Sequence, residues 1–143
     1  MSRATRFSVA LHALALIEHP GGCGSRLTSE AIAGSVGTNA SFVRRVLSML
    51  ARAGIVRSSA GIAGAELARP ADAITLLEIY RAVGMEGESR LAIHRSANPA
   101  CFVGRRIQGA LQEVVGAAEE AFEAELGRRK LSDVFRLIAA QVA

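Results

Sequence analysis

Arg44 and Arg45 stand side by side in a stretch that opens Asn39-Ala40-Ser41 and carries Ser48 about one turn further on. Guanidinium groups pair with phosphates and guanine edges, and short hydroxyl and amide side chains at a helix start reach base edges. The chemistry these residues offer is recognition of duplex DNA rather than bond-making. On a helix from about Ala40 to Ala53 they lie away from Val43, Val46, Leu47 and Leu50, which recur at three and four and form the buried stripe. Ala33, Gly37, Val43 and Val46 follow one another at offsets of four, six and three. A small residue where two helices cross, a turn residue tolerant of positive φ and branched anchors on the second helix are the requirements of a helix-turn-helix. Arg57 and Ser58, on a following hairpin, and Arg3 and Thr28, ahead of the two helices, complete the candidate DNA-facing set.

A second chemistry is available at Cys101. If Asn98-Pro99 opens the longest helix, with Asn98 as cap and Pro99 at its first position, Cys101 is its third residue. Free amides and the helix dipole there favour a thiolate, and Arg105 and Arg106 lie one turn further on. Such a thiol can be oxidised; the competing reading is a small buried hydrophobe plugging the helix start. Cys23, among glycines, is a second redox candidate. His12 reads as a packing histidine on an apolar helix, and His19 and His94 show no metal-ligand spacing. No metal and no cofactor are expected. Nor does any acid or His pattern near Cys101 supply the general base an enzyme using it as nucleophile would need, so the chain is not expected to be an enzyme.

The positioning elements follow from pattern. Residues 3–18 are apolar on nearly every face, which calls for a helix covered on more than one side. Thr28 caps a short helix to about Val36, Gly37 breaks it, Thr38 or Asn39 caps the next, and Gly54 stops it. Residues 55–59 and 65–68 read as two short strands joined by a small-residue tip at 60–64. Thr75-Leu76-Leu77-Glu78 is a capping box for a helix to about Val83. From Asn98 the apolar positions Val103, Ile107, Leu111, Val114, Ala118 and Phe122 repeat at three and four, until Arg128-Arg129-Lys130 marks the end. A last helix runs from Ser132 to about Gln141. The expected fold is mainly α with a small β-hairpin wing: a winged helix-turn-helix domain at 1–83, a connecting segment at 84–97, and a dimerisation helix plus C-terminal helix at 98–143. A helix of roughly 25 residues spans about 38 Å, more than so small a head can cover, so its stripe should meet a second copy.

Composition narrows the partners. The chain has 143 residues, half of them apolar, with five Phe, one Tyr and no Trp, so its core must be aliphatic and disorder is excluded. Sixteen of the seventeen cations are Arg. Residues 1–59 hold seven Arg against two acids, a net of +5, whereas residues 60–143 carry a net of −1, which together make the chain's +4. One half faces an anion and the other has a different task. Two cysteines and no apolar run of about 18 residues point to the cytoplasm and away from the membrane. A DNA-binding regulator fits these features best; the alternative is a dimeric helical interaction module without DNA binding.

Arg3 to Leu16, Ser41 to Val56, Pro70 to Val83 and Asn98-Pro99-x-Cys101-x-Val103-Gly104 together resemble the Rrf2 family of bacterial winged-helix transcription regulators, across essentially the whole chain. Gly61-Ile62-Ala63-Gly64-Ala65-Glu66-Leu67 resembles the wing of its YwnA-like subgroup, where many other members carry Arg and Gly-Gly-Tyr. The resemblance implies a homodimer joined through the long C-terminal helix, binding to a palindromic operator, and usually repression. Some members hold an iron–sulfur cluster on three closely spaced cysteines before that helix. Only Cys101 lies there in this chain, so a three-cysteine cluster is not expected, and a site using His12 and Cys101 is the remaining alternative.

Overall fold

The computed structural model describes residues 2–19, 27–58, 65–87 and 89–141. A 3-10 turn at Arg3–Thr5 leads into α1 (Arg6–Glu18), followed by α2 (Ser29–Val36) and α3 (Ala40–Arg52). Strands β1 (Val56–Ser58) and β2 (Ala65–Leu67) come next, then α4 (Leu76–Ala82), α5 (Phe102–Arg128) and α6 (Leu131–Ala140). The strands pair antiparallel, Val56 with Leu67, Arg57 with Glu66 and Ser58 with Ala65. This is the mainly helical architecture with a two-stranded hairpin and a long C-terminal helix that the pattern predicts. The strands are shorter than expected: Ile55 and Ala68 flank the ladder and are tied by one bond, Ala68 N–H to Ile55 O at 2.9 Å. The hairpin tip, Ser59 and Ala60 to Gly64, lies outside the described residues, as does Cys23.

α1 is the centre of the head. Val9, Ala10, Leu14 and Ile17 join Phe42, Val46, Leu50, Ile55, Ile74, Ile79 and Val83 in the main core, while Ala13 turns to Ile32, Ala33 and Val43 in a second cluster. A helix apolar all round thus has both faces covered, as its composition requires.

Local rules set most helix ends. Thr28 Oγ1 accepts the Ala31 amide at 3.0 Å and Asn39 Oδ1 the Phe42 amide at 2.9 Å, each satisfying an otherwise free donor at a helix start. Gly37 takes φ +83° and its N–H closes on Ala33 O at 2.8 Å, a left-handed stop that a residue with Cβ pays for. The Thr75–Glu78 capping box forms in full. Accepting the Thr75 amide, and then the Arg69 guanidinium, holds the Glu78 carboxyl below its ordinary value.

Two starts differ from expectation. α5 begins at Phe102, with Cys101 as its N-cap, not at Pro99. Asn98 Oδ1 accepts the Ala100 amide at 3.0 Å and Asn98 O accepts the Cys101 amide at 3.2 Å. The Asn-Pro pair therefore closes a turn of its own, and this turn folds onto Gly104, where a Cβ would collide with Asn98 O. α6 begins at Leu131, ahead of Ser132. Asp133 Oδ2 accepts the Lys130 amide at 2.7 Å. Backbone bonds from Leu76 N to Arg129 O (3.0 Å) and from Leu131 N to Ile74 O (2.9 Å) pin the junction to the start of α4. Leu131 and Phe135 thereby enter the head's core.

The Gly104 contact gives a test against helix propensity. Gly34→Ala, at an exposed helical site with nothing within 4 Å, should stabilise the fold by about 0.5–1 kcal/mol. Gly104→Ala should instead destabilise it by about 1 kcal/mol or more and speed amide exchange at residues 100 and 101, measured by urea unfolding and hydrogen exchange. A stabilised Gly104→Ala protein would contradict the packed turn.

Candidate nucleic-acid interface

α3 is fixed on one side and open on the other. Phe42, Val43, Val46 and Leu50 are buried, while Ser41, Arg44, Arg45 and Ser48 are exposed and Ala40 is half-buried. The helix carries three Arg and no acid. The charged residues that α3 itself places on this face are therefore all Arg, with short polar residues at its N-terminal end, where Asn39 serves as the cap. Among the described residues nothing covers this face, the condition a helix must meet to enter a groove.

The two arginines differ in their surroundings. Arg44 Nη1 donates to Glu30 Oε1 at 3.2 Å, and its Nη2 reaches Ser41 Oγ at 3.5 Å. Arg45 has no side-chain partner among the described residues. Glu30, in the first turn of α2, is the residue that spacing alone does not flag: it is fourteen positions from Arg44, and the α2–α3 turn brings the two together.

The other candidates are distributed around this face or away from it. Thr28 is half-buried and caps α2. Arg57 and Ser58 are exposed on β1, and Arg57 Nε pairs across the hairpin with Glu66 at 2.8 Å. That bond balances the strand's cation with an acid. Arg3 is exposed and donates to Gly84 O, the turn after α4, so it ties the N-terminus to the head.

α5 contributes no buried residue of its own. Val103 is 59 % exposed and Val114 67 %; Ala118 is exposed, and Ile107 and Leu111 are half-buried. Phe122 is partly committed within the protomer: the Arg90 guanidinium stacks 3.4 Å from its ring centre, and Tyr80 meets it edge-on at 5.5 Å. Arg90 also donates to Tyr80 Oη, and its backbone amide and Ser89 Oγ both donate to Glu119. These bonds, that from Ser89 foremost, hold the Glu119 carboxyl below its ordinary value. The network fastens the connecting segment to α4 and α5, and hydropathy periodicity carries no signal of it.

Cys101 is exposed, which removes the reading of a buried plug. His12 is also exposed, with Nε2 3.0 Å from Ser35 Oγ, and His19 packs edge-on against Phe135. Among the described residues no three His, Cys, Asp or Glu side chains gather to hold a metal. No described helix is long and apolar enough to cross a membrane.

Comparison with known proteins gives consistent results. The Rrf2 family, described as an iron-dependent transcriptional regulator, matches residues 3–137. YwnA of Bacillus subtilis (strain 168), named as a candidate HTH-type transcriptional regulator, is 45 % identical over 131 residues, covering 91 % of this chain and 94 % of that protein. A crystal structure described as a candidate DNA-binding protein is similar at a TM-score of 0.68 and 41 % identity, covering 90 % of this chain and 97 % of that one. CymR, the global cysteine regulator of B. subtilis, shares the fold at a TM-score of 0.59 and 23 % identity, with 95 % of each chain covered.

The geometry of the face depends on its first turn. Asn39→Ala, which removes the acceptor for the Phe42 amide, should cost about 1 kcal/mol in urea unfolding. Exchange at the amides of residues 41 and 42 should rise while that of Leu50 is unchanged. Unaltered exchange at those amides would show that the Asn39 cap does not set the helix start.

Proposed function

The chain belongs to the Rrf2 family of DNA-binding transcriptional regulators, and from that membership we propose that it acts as a homodimeric repressor on a palindromic operator, with α3 of each copy in the major groove. The observation that carries the reading is the open face of α3, where exposed Arg44 and Arg45 stand on a helix whose opposite side is locked in the core. In this arrangement Ser41 and Ser48 face the groove, and Thr28 at the start of α2 faces the flanking phosphates, the docking a helix-turn-helix adopts. The hairpin is secondary, since Arg57 is already paired with Glu66.

Support for the dimer is the unmet burial of α5, a 27-residue helix with Phe102, Val103 and Val114 each more than half exposed. Pairing along Val103, Ile107, Leu111, Val114 and Ala118, with Phe122 at the edge, removes this surface from water, and twofold symmetry fits an isologous contact. Two copies related in this way present two α3 helices to two half-sites.

The same reading assigns the response to Cys101 rather than to a cluster. The segment before α5 holds this cysteine alone, exposed at the N-cap of the helix that joins the copies. Transfer of one oxygen from a peroxide to its thiol, with release of water, gives a sulfenic acid and changes the polarity and bulk at the end of the dimer helix.

Arg44→Ala and Arg45→Ala should each weaken binding to a duplex selected from random sequence by the wild-type protein, by about 1–3 kcal/mol in fluorescence anisotropy. Unchanged affinity in both variants would remove α3 as the reader. In sedimentation at micromolar concentration the wild type should run as a dimer and Val114→Glu as a folded monomer with reduced DNA affinity. A monomeric wild type would refute the pairing.

A further inference from the structure

The contact between Glu30 and Arg44 assigns a role to an acid in the middle of a cationic face. Both side chains are largely exposed, 70 % for Glu30 and 56 % for Arg44, and an ion pair in that setting adds little to stability. Its effect is on where the guanidinium sits. One terminal nitrogen is held by Glu30 Oε1 and the other lies near Ser41 Oγ, so Arg44 is tethered along the α2 side of α3. Arg45, its neighbour in sequence, is exposed and has no such tether among the described residues. Glu30 also places a negative charge in the first turn of α2, the helix that crosses the sugar-phosphate backbone when α3 enters the groove. A carboxylate there repels phosphates and competes with them for Arg44.

We propose that Glu30 is a positioning residue for DNA recognition: it holds Arg44 for base edges, keeps it off the phosphates, and leaves Arg45 as the backbone contact. Glu30 thereby exchanges non-specific affinity for sequence discrimination. The proposal rests on the reading of α3 as the groove helix. Base contacts specify and phosphate contacts only position, so an arginine released from its tether gains affinity for every duplex and loses preference among them.

Glu30→Gln keeps the side-chain length and an acceptor oxygen while removing the charge, and it tests this directly. The probes are the duplex of highest affinity selected from random-sequence DNA by the wild-type protein, and a scrambled duplex of equal length and composition. For the scrambled duplex the variant should bind roughly threefold tighter or more. Its dependence of log K on log salt should steepen by about one unit, as one further phosphate is contacted. Affinity for the selected duplex should change by less than about twofold, so the ratio between the two falls. In an Arg44→Ala background Glu30→Gln should no longer change that ratio, whereas loss of a charge acting only at long range raises both affinities alike and leaves the ratio unchanged in either background. Equal gains on both duplexes, an unchanged salt slope, or a full effect in the Arg44→Ala background would overturn the role of Glu30 while leaving α3 as the reader. Failure of the wild type to select any duplex would overturn the groove reading and this proposal with it.

Discussion

Close packing of α1 against α2 and α3 is the constraint on which the rest of the molecule depends. Ala13, Ala33 and Val43 meet with almost no exposure, and only small or branched side chains let three helix backbones approach this closely. The crossing fixes the turn, in which Gly37 adopts a left-handed conformation and Asn39 caps the next helix. Once Val43, Val46 and Leu50 are inside, helical geometry dictates that Arg44, Arg45 and Ser48 are outside. The cationic face is therefore a consequence of the core.

The second half of the molecule has the opposite character. α5 fully buries none of its own residues, and it is fastened to the head by Leu126, which packs against the core, and by a few polar and stacking contacts: Arg81 to Glu123, Arg90 to Tyr80 and Phe122, and Glu119 to Ser89 and Arg90. α6 returns to the head, with Leu131 fully buried and the junction before it bonded to residues 74–76. A packed head and a helix whose apolar stripe is left open to water are the two parts that the proposed twofold assembly needs. Cys101 lies where the connecting segment turns into that helix.

What was legible in the sequence was local. Thr28, Gly37, Asn39, Gly54 and the Thr75–Glu78 box each act within four residues, and each ends or begins a helix as its chemistry requires. What was not legible depended on distant partners. Asn98-Pro99 satisfies the rules for a helix start and for a turn equally well; the turn is chosen because Asn98 O packs where Gly104 has no side chain. Ser132 is the better cap by type, yet the bonds from Leu131 and Arg129 to residues 74 and 76 start the helix earlier. The open face of α3 could be read from its period, but the tether on Arg44 could not, because it spans fourteen residues and two helices.

The function proposed above places two copies of α3, set by a twofold axis, in major grooves on one side of a duplex. Guanine N7 methylation interference on the selected duplex, read on both strands, tests it most directly. Interference should fall in two clusters related by a dyad, separated by about 34 Å or a multiple of it, and be lost together with Arg44 and Arg45. A single cluster without symmetry, or interference unaffected by both substitutions, would contradict it.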